Sequence, residues 1–306
     1  MKILLLGKNG QVGWELQRSL SILGHIVALD RRSQDLCGDL TNLQGLAETV
    51  RQVRPDVIVN AAAYTAVDKA ESEPDMASVV NAAAPALLAK EAERLGAWLV
   101  HYSTDYVFDG SGSRPWTETD LPAPLSVYGR TKLEGEQAVA THCQRHMILR
   151  TSWVYGARGS NFIRTMLRLA RERERLTVVD DQHGAPTSAE LLADVTALAI
   201  HQLTGPASGD KAGQLAGIYH LAAAGETTWH GYATHVLAQA RRIRPKSEHK
   251  AVDVAPVTSD AFATAATRPR NSRLDTAKLQ AVFGLTLPAW QQGVDRVLAE
   301  ILSVPE

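Results

Sequence analysis

The pair with the clearest chemical promise in this 306-residue sequence is Tyr128 and Lys132, in the run Tyr128-Gly129-Arg130-Thr131-Lys132. At a predicted helix start, a spacing of four puts both side chains on one face. An ammonium beside a phenol stabilises the tyrosinate and draws its pKa toward working pH, so the phenol can give a proton to a carbonyl oxygen as hydride reaches the carbon. A Tyr and a Lys four apart also arise by chance on exposed helix faces. Ser103-Thr104, at the end of a predicted strand, adds a hydroxyl: Thr104 can bond the same carbonyl and match its pKa to that of Tyr128.

A second constellation stands at the N-terminus. Gly7-Lys8-Asn9-Gly10-Gln11-Val12-Gly13 spaces three glycines (Gly7, Gly10, Gly13) three apart between a predicted strand and helix. Such a turn lets backbone approach a pyrophosphate, and the helix start offers free N–H groups to the anion. Asp30, at the end of the next strand, is placed to accept from an adenosine ribose, which favours NADH. Lys8, Arg31 and Arg32 can meet a 2′-phosphate, which favours NADPH. Both cofactors stay open.

Parallel strands must carry these groups. Apolar runs Ile3–Leu6, Ile26–Leu29, Val57–Val59, Ala97–Tyr102 and Met147–Arg150 alternate with helical periodicity at Val12–Leu23, Leu43–Val53, Met76–Arg94 and from Tyr128 onward. A loop is expected from Asp109 to Leu125. The fold class is α/β: a Rossmann-type doubly wound parallel sheet over residues 1–150, completed by segments near 176–203 and 216–224. The rest of residues 151–306 forms a smaller, mixed α/β substrate-binding lobe. Helices are expected at Asn161–Ala170 and Leu191–His201, and a glycine-rich loop at Thr204–Gly217.

Composition narrows the classes. Hydrophobic residues make up 45% and charged ones 21%, ordinary globular usage. A formal net charge of −1 and no Lys/Arg stripe exclude a nucleic-acid partner. No apolar run spans a bilayer and no signal-peptide pattern opens the chain, so no membrane partner and a cytoplasmic location are expected. Cys37 and Cys143 read as reduced, partly buried thiols.

The spacing of the glycine turn, with Gly38-Asp39-Leu40 and Asn60-Ala61-Ala62-Ala63, resembles the extended short-chain dehydrogenases. Within them the chain is similar to the dTDP-4-dehydrorhamnose reductase family over nearly its whole length. The likeness runs through Val67-Asp68-Lys69-Ala70-Glu71, Ser103-Thr104-Asp105-Tyr106-Val107-Phe108-Asp109-Gly110 and Val127–Lys132. Arg150-Thr151-Ser152-Trp153-Val154-Tyr155, Gly184-Ala185-Pro186-Thr187 and Arg268-Pro269-Arg270-Asn271-Ser272 carry the specificity. The resemblance implies reduction of the 4-keto group of dTDP-4-dehydro-L-rhamnose by NADPH or NADH in dTDP-rhamnose synthesis, a supply of sugar for lipopolysaccharide O-antigen.

It further implies Tyr128 as proton donor, Lys132 on the nicotinamide ribose and Thr104 as helper. Gly10, Gln11, Val12, Asp30, Asp39, Leu40, Ala63, Tyr64, Thr65 and Tyr102 would contact the cofactor. Thr104, Asp105, Trp153, Arg268, Asn271 and Ser272 would contact the dTDP-sugar. Some similar reductases hold Mg2+ between the subunits of a homodimer through glutamates. Glu15 and Glu190 match two such positions, but Gln291-Gln292 stand where a third carboxylate is expected, removing a hard ligand.

A dehydratase of this fold would follow the threonine with paired acids, whereas Tyr106 follows Asp105. An epimerase would retain its NAD through the cycle. A non-catalytic relative, the regulatory subunit of methionine adenosyltransferase, shares the fold, and turnover of a keto-sugar nucleotide separates it from an enzyme.

Overall fold

The computed structural model describes residues 1–205, 215–245, 250, 253–262 and 264–303. Its first part runs β1 (Lys2–Leu6), α1 (Gln11–Leu20), β2 (His25–Leu29), α2 (Leu43–Val53), β3 (Val57–Asn60), α3 (Val67–Ala70) and α4 (Pro74–Ser78). After a π turn (Val79–Ala83) come α5 (Ala84–Leu95), β4 (Trp98–Thr104), α6 (Val127–His142) and β5 (His146–Thr151). Then follow β6 (Val154–Tyr155), α7 (Phe162–Glu172), β7 (Arg175–Val179), β8 (His183–Gly184), β9 (Thr187–Ser188), α8 (Ala189–Thr204) and β10 (Gly217–His220). β11 (Thr227–Thr228), α9 (Trp229–Ile243), β12 (Asp253–Val257), α10 (Ala277–Phe283) and α11 (Trp290–Ser303) complete the order.

Six strands pair in parallel in the order β10-β5-β4-β3-β1-β2. Successive strand residues point to opposite faces, and here both faces are buried. Ile3 and Leu5 pack with Leu16 and Leu20 of α1 and Leu192 of α8. Leu4 and Leu6 pack with Leu46 and Val50 of α2 and Leu88 of α5. Strand order reverses beside β1, which opens a crevice at the carboxyl ends of β1, β3 and β4.

A separate apolar cluster unites α7, α9 and α11 through Ile163, Leu167, Tyr232, Val236, Trp290, Val294 and Leu298. β12 pairs in parallel with β7. No helix among the described residues is long and apolar enough to cross a membrane. Cys143 is buried and Cys37 half-buried, and neither is in a disulfide.

Three local expectations differ. The helix expected from Met76 to Arg94 is broken by the π turn, which swings Asn81 inward: its Oδ1 accepts from the Tyr64 N–H (2.8 Å) and its Nδ2 donates to the Tyr64 carbonyl (3.1 Å). The first helix ends at Leu20 rather than Leu23, because the chain turns where Gly24 touches the Met1 carbonyl too closely for any side chain. The glycine-rich loop expected at 204–217 falls mostly on residues 206–214, outside the described residues.

Candidate active site

The glycine turn closes for steric reasons. Gly7 has φ +90°, and a Cβ there would lie 2.9 Å from the Ala62 nitrogen. A Cβ on Gly13 would lie 2.0 Å from the Gly7 carbonyl oxygen, so only glycine lets α1 start this close to β1. Gly10 is the N-cap and brings no side chain, leaving the amides of Gln11, Val12 and Gly13 at an uncapped helix start. Gln11 ties this turn to the later chain, accepting from Asn161 Nδ2 at 3.0 Å.

Asp30 sits at the end of β2, its carboxylate bonded by the Arg32 N–H (3.0 Å), the Ser33 hydroxyl (3.1 Å) and the Asn9 amide. Against partial burial, these bonds and the Lys8 charge hold its carboxyl below the ordinary range. Asp39 is capped by the N–H (2.9 Å) and hydroxyl (2.8 Å) of Thr41. Leu40 turns its side chain into the core beside Leu29 and Leu46, so only its backbone can face a ligand. Ala63 is half-buried and Thr65 exposed, on the loop after β3. Tyr64 in that loop donates to Glu73 (2.6 Å).

Tyr128 and Lys132 lie one turn apart on α6, capped by Ser126 Oγ accepting from the Gly129 N–H at 3.1 Å. Gly129 has no room for a side chain, a Cβ there lying 2.2 Å from the Tyr106 carbonyl oxygen. That contact seats Tyr128 edge-on against the Tyr106 ring, with centroids 5.6 Å apart. Lys132 is buried; its Nζ donates to the Tyr102 carbonyl at 2.6 Å and lies 3.3 Å from His101 Nε2. Tyr102 thus meets Lys132 through its backbone, while its phenol bonds Thr196 at 2.6 Å.

The electrostatics correct one expectation. Burial pushes the Tyr128 phenol up to about 12 rather than down toward working pH, the Thr104 hydroxyl opposes this and Asp105 adds to it; Lys132 Nζ is bonded to the Tyr102 carbonyl on β4. A phenol held protonated suits proton donation, the reductive direction. Burial pushes Lys132 down to about 8, with Glu136 opposing. Thr104, last residue of β4, donates to Asp105 Oδ1 at 3.1 Å and accepts from the Tyr106 N–H at 3.1 Å. Asp105 is buried with Oδ2 unpartnered, and burial, opposed by Ser272 and Thr104, pushes its carboxyl up to about 6.

The later residues divide. Trp153 takes φ +50° and stacks on Trp229, with centroids 3.8 Å apart. A side chain on Gly184 would strike its indole. Ser272 is buried close to Asp105, whose carboxyl it helps hold down. Arg268 instead forms an ion pair with Asp68 (2.6 Å). Asn271 is consumed internally: its amide donates to the carbonyls of Ser111 (3.2 Å) and Arg114 (2.8 Å), and its Oδ1 accepts from Arg273 Nε at 2.8 Å. It holds the 109–125 loop, helped by Trp116 Nε1 donating to the Asn271 carbonyl (3.0 Å).

Glu15 and Glu190 are neighbours, for burial and then the Glu190 charge raise the pKa of Glu15. Each is met by an arginine: Arg18 Nε lies 3.6 Å from Glu15 and Arg296 Nε 2.8 Å from Glu190. Among the described residues no three His, Cys, Asp or Glu side chains assemble to hold a metal. Within one chain Glu15 and Glu190 are each paired with an arginine, and Gln291 and Gln292 bring no charge.

Asn81 was not foreseen as a site residue. Its Nδ2 also reaches Thr131 Oγ1 at 3.2 Å, joining the Tyr64 loop to the helix between Tyr128 and Lys132. A π turn of one extra residue leaves no mark on apolar periodicity.

A family model described as the RmlD substrate binding domain matches residues 1–303. The chain is 56% identical over 303 residues to the dTDP-4-dehydrorhamnose reductase of Shigella flexneri, covering 99% of each chain. It is 55% identical over 304 residues to the protein of that name from Escherichia coli strain K12, again covering 99% of each. A dTDP-4-dehydrorhamnose reductase structure from Clostridium acetobutylicum superposes with TM-score 0.87 at 36% identity, covering 99% of this chain and 100% of that one. One from Bacillus anthracis, solved in complex with NADP, gives 0.86 at 36%, covering 98% and 99%. A Thermus thermophilus UDP-glucose 4-epimerase, at 20% identity and TM-score 0.77 over 100% of both chains, shares the fold alone. Matched along its whole length by these relatives, the chain belongs to the dTDP-4-dehydrorhamnose reductase family.

Proposed function

We propose that this chain reduces the 4-keto group of dTDP-4-dehydro-L-rhamnose to the alcohol, giving dTDP-L-rhamnose, with either NADH or NADPH. The observation that carries the reading is Tyr128 set edge-on against Tyr106 beside the β4 end that carries Thr104, one helical turn from buried Lys132. Bound in the glycine turn, the cofactor supplies hydride to the sugar C4. Tyr128 gives its proton to the carbonyl oxygen, and the Thr104 hydroxyl, turning from Asp105 Oδ1 when substrate enters, orients that oxygen by a second hydrogen bond. Lys132 holds the nicotinamide ribose, and the amides of Gln11, Val12 and Gly13 take the pyrophosphate.

Asp30 accepts from a free ribose 2′-hydroxyl and repels a 2′-phosphate, but its bonds to Asn9, Arg32 and Ser33 already engage that carboxylate. Exposed Arg31 and Arg32 stand ready for the phosphate. Both cofactors are expected to support turnover, with catalytic efficiencies within about tenfold, a difference of about 1.4 kcal/mol. An absolute requirement for one would show that this balance is misjudged. Transfer of one deuterium from 4-deuterated cofactor to the sugar C4, read by mass spectrometry, tests the hydride step itself.

The dTDP-sugar lies between the sheet ends and the lobe of α7, α9 and α11, with Trp153 packed on the deoxysugar face and Asp105 and Ser272 reaching its hydroxyls. Trp153→Ala is expected to raise KM at least about tenfold, the cost of losing an aromatic contact of about 1.4 kcal/mol. If that variant only lowers the melting temperature, Trp153 is a core residue stacked on Trp229.

A further inference from the structure

The side chain bonded to Lys132 Nζ among the described residues is His101, not the phenol. His101, on β4 and 1% exposed, places Nε2 3.3 Å from Lys132 Nζ and Nδ1 3.2 Å from Asn60 Nδ2 at the end of β3. The orientation of Asn60 is set from its other end, where Oδ1 accepts from the Ala62 N–H at 3.2 Å in the loop beneath the glycine turn. Turning that amide over would set its NH2 against the Ala62 N–H, two donors facing each other in a buried site.

The chain of donors therefore runs one way. Ala62 N–H donates to Asn60 Oδ1, and Asn60 Nδ2 donates to His101 Nδ1. An imidazole that accepts at Nδ1 carries its hydrogen on Nε2. That hydrogen points at Lys132. Facing an ammonium it meets a second donor; facing a neutral amine it makes an N–H···N bond.

We propose that Asn60 and His101 form a hydrogen-bonded positioning pair that locks the Nε2–H tautomer against Lys132 and so weakens the hold of Lys132 on its proton. The other groups around Lys132 are Tyr128 and Glu136 on its own helix and the Tyr102 carbonyl on β4. Behind Glu136 stand Arg150 on β5 and His220 on β10, and the π turn contributes uncharged Asn81. Glu136 opposes the pair by favouring the ammonium, while burial acts with it. The same burial, then the Lys132 charge, holds His101 well below the ordinary histidine range, so the imidazole stays neutral. The functional consequence is that Lys132 changes charge within reach of neutral pH, so its hold on the nicotinamide ribose is lost as pH rises through that range.

This inference rests on Lys132 acting as proposed above, but its first test needs neither substrate nor cofactor. In 15N-labelled protein at neutral pH, the His101 imidazole is expected as the neutral Nε2–H tautomer with a bare Nδ1. An Nδ1–H tautomer or a doubly protonated ring overturns the proposal. In His101→Gln the side-chain oxygen can accept from the ammonium, so the alkaline limb of the kcat profile is expected to move up by about one pH unit. A limb that stays in place in a folded His101→Gln protein also overturns it.

Discussion

Tyr128→Phe is expected to lose about 10²–10⁴-fold in kcat, the range for removing a positioned general acid, with fold and cofactor affinity unchanged. The substitution deletes one oxygen at a half-buried position and leaves the ring edge-on against Tyr106. The phenol is the donor because burial and Asp105 keep it protonated, while Thr104 aligns it. Steady-state kinetics beside circular dichroism and cofactor titration check the result. Activity within a few fold of wild type would remove Tyr128 from the mechanism.

The second large effect is on stability. Arg150 and Glu136 are 2% and 1% exposed at their side chains and form a paired contact, Nη2–Oε2 2.6 Å and Nε–Oε1 2.9 Å. Arg150 lies over the Phe108 ring, 5.0 Å from its centroid. Glu136→Leu leaves a guanidinium uncompensated in the core and is expected to cost about 3–5 kcal/mol. Glu136→Leu with Arg150→Met removes both charges and is expected to regain most of that loss, because the pair's desolvation nearly offsets its attraction. An exposed pair such as Arg168–Glu172 behaves differently: Arg168→Ala is expected to cost under about 1 kcal/mol. Denaturant midpoints across the cycle decide, and a mild Glu136→Leu effect would mean that water reaches Arg150.

Much of the site was legible because its chemistry is local in sequence. The glycine turn, Asp30 and the Tyr128–Lys132 pair sit where strand ends and helix starts are marked by glycine and apolar periodicity. What escaped depends on contacts between distant residues. Arg268 belongs to Asp68 across 200 positions, and Asn271 to the backbone at Ser111 and Arg114. Trp153 stacks on Trp229 from a left-handed backbone, which no spacing announces. The strand pairing of β7 with β12 joins segments too far apart for periodicity to connect. The expected lowering of the Tyr128 phenol was hidden for a related reason: the spacing fixed a shared face, while burial raises the phenol and Lys132 Nζ bonds the Tyr102 carbonyl.

The central claim is the reduction itself. Purified protein is mixed with dTDP-4-dehydro-L-rhamnose and NADH or NADPH, absorbance of the reduced nicotinamide is followed, and the sugar nucleotide is analysed at the end. The account predicts cofactor oxidation matched mole for mole by dTDP-L-rhamnose, lost in Tyr128→Phe. Epimerised or dehydrated sugar without net cofactor oxidation, or no turnover with either cofactor, would contradict it.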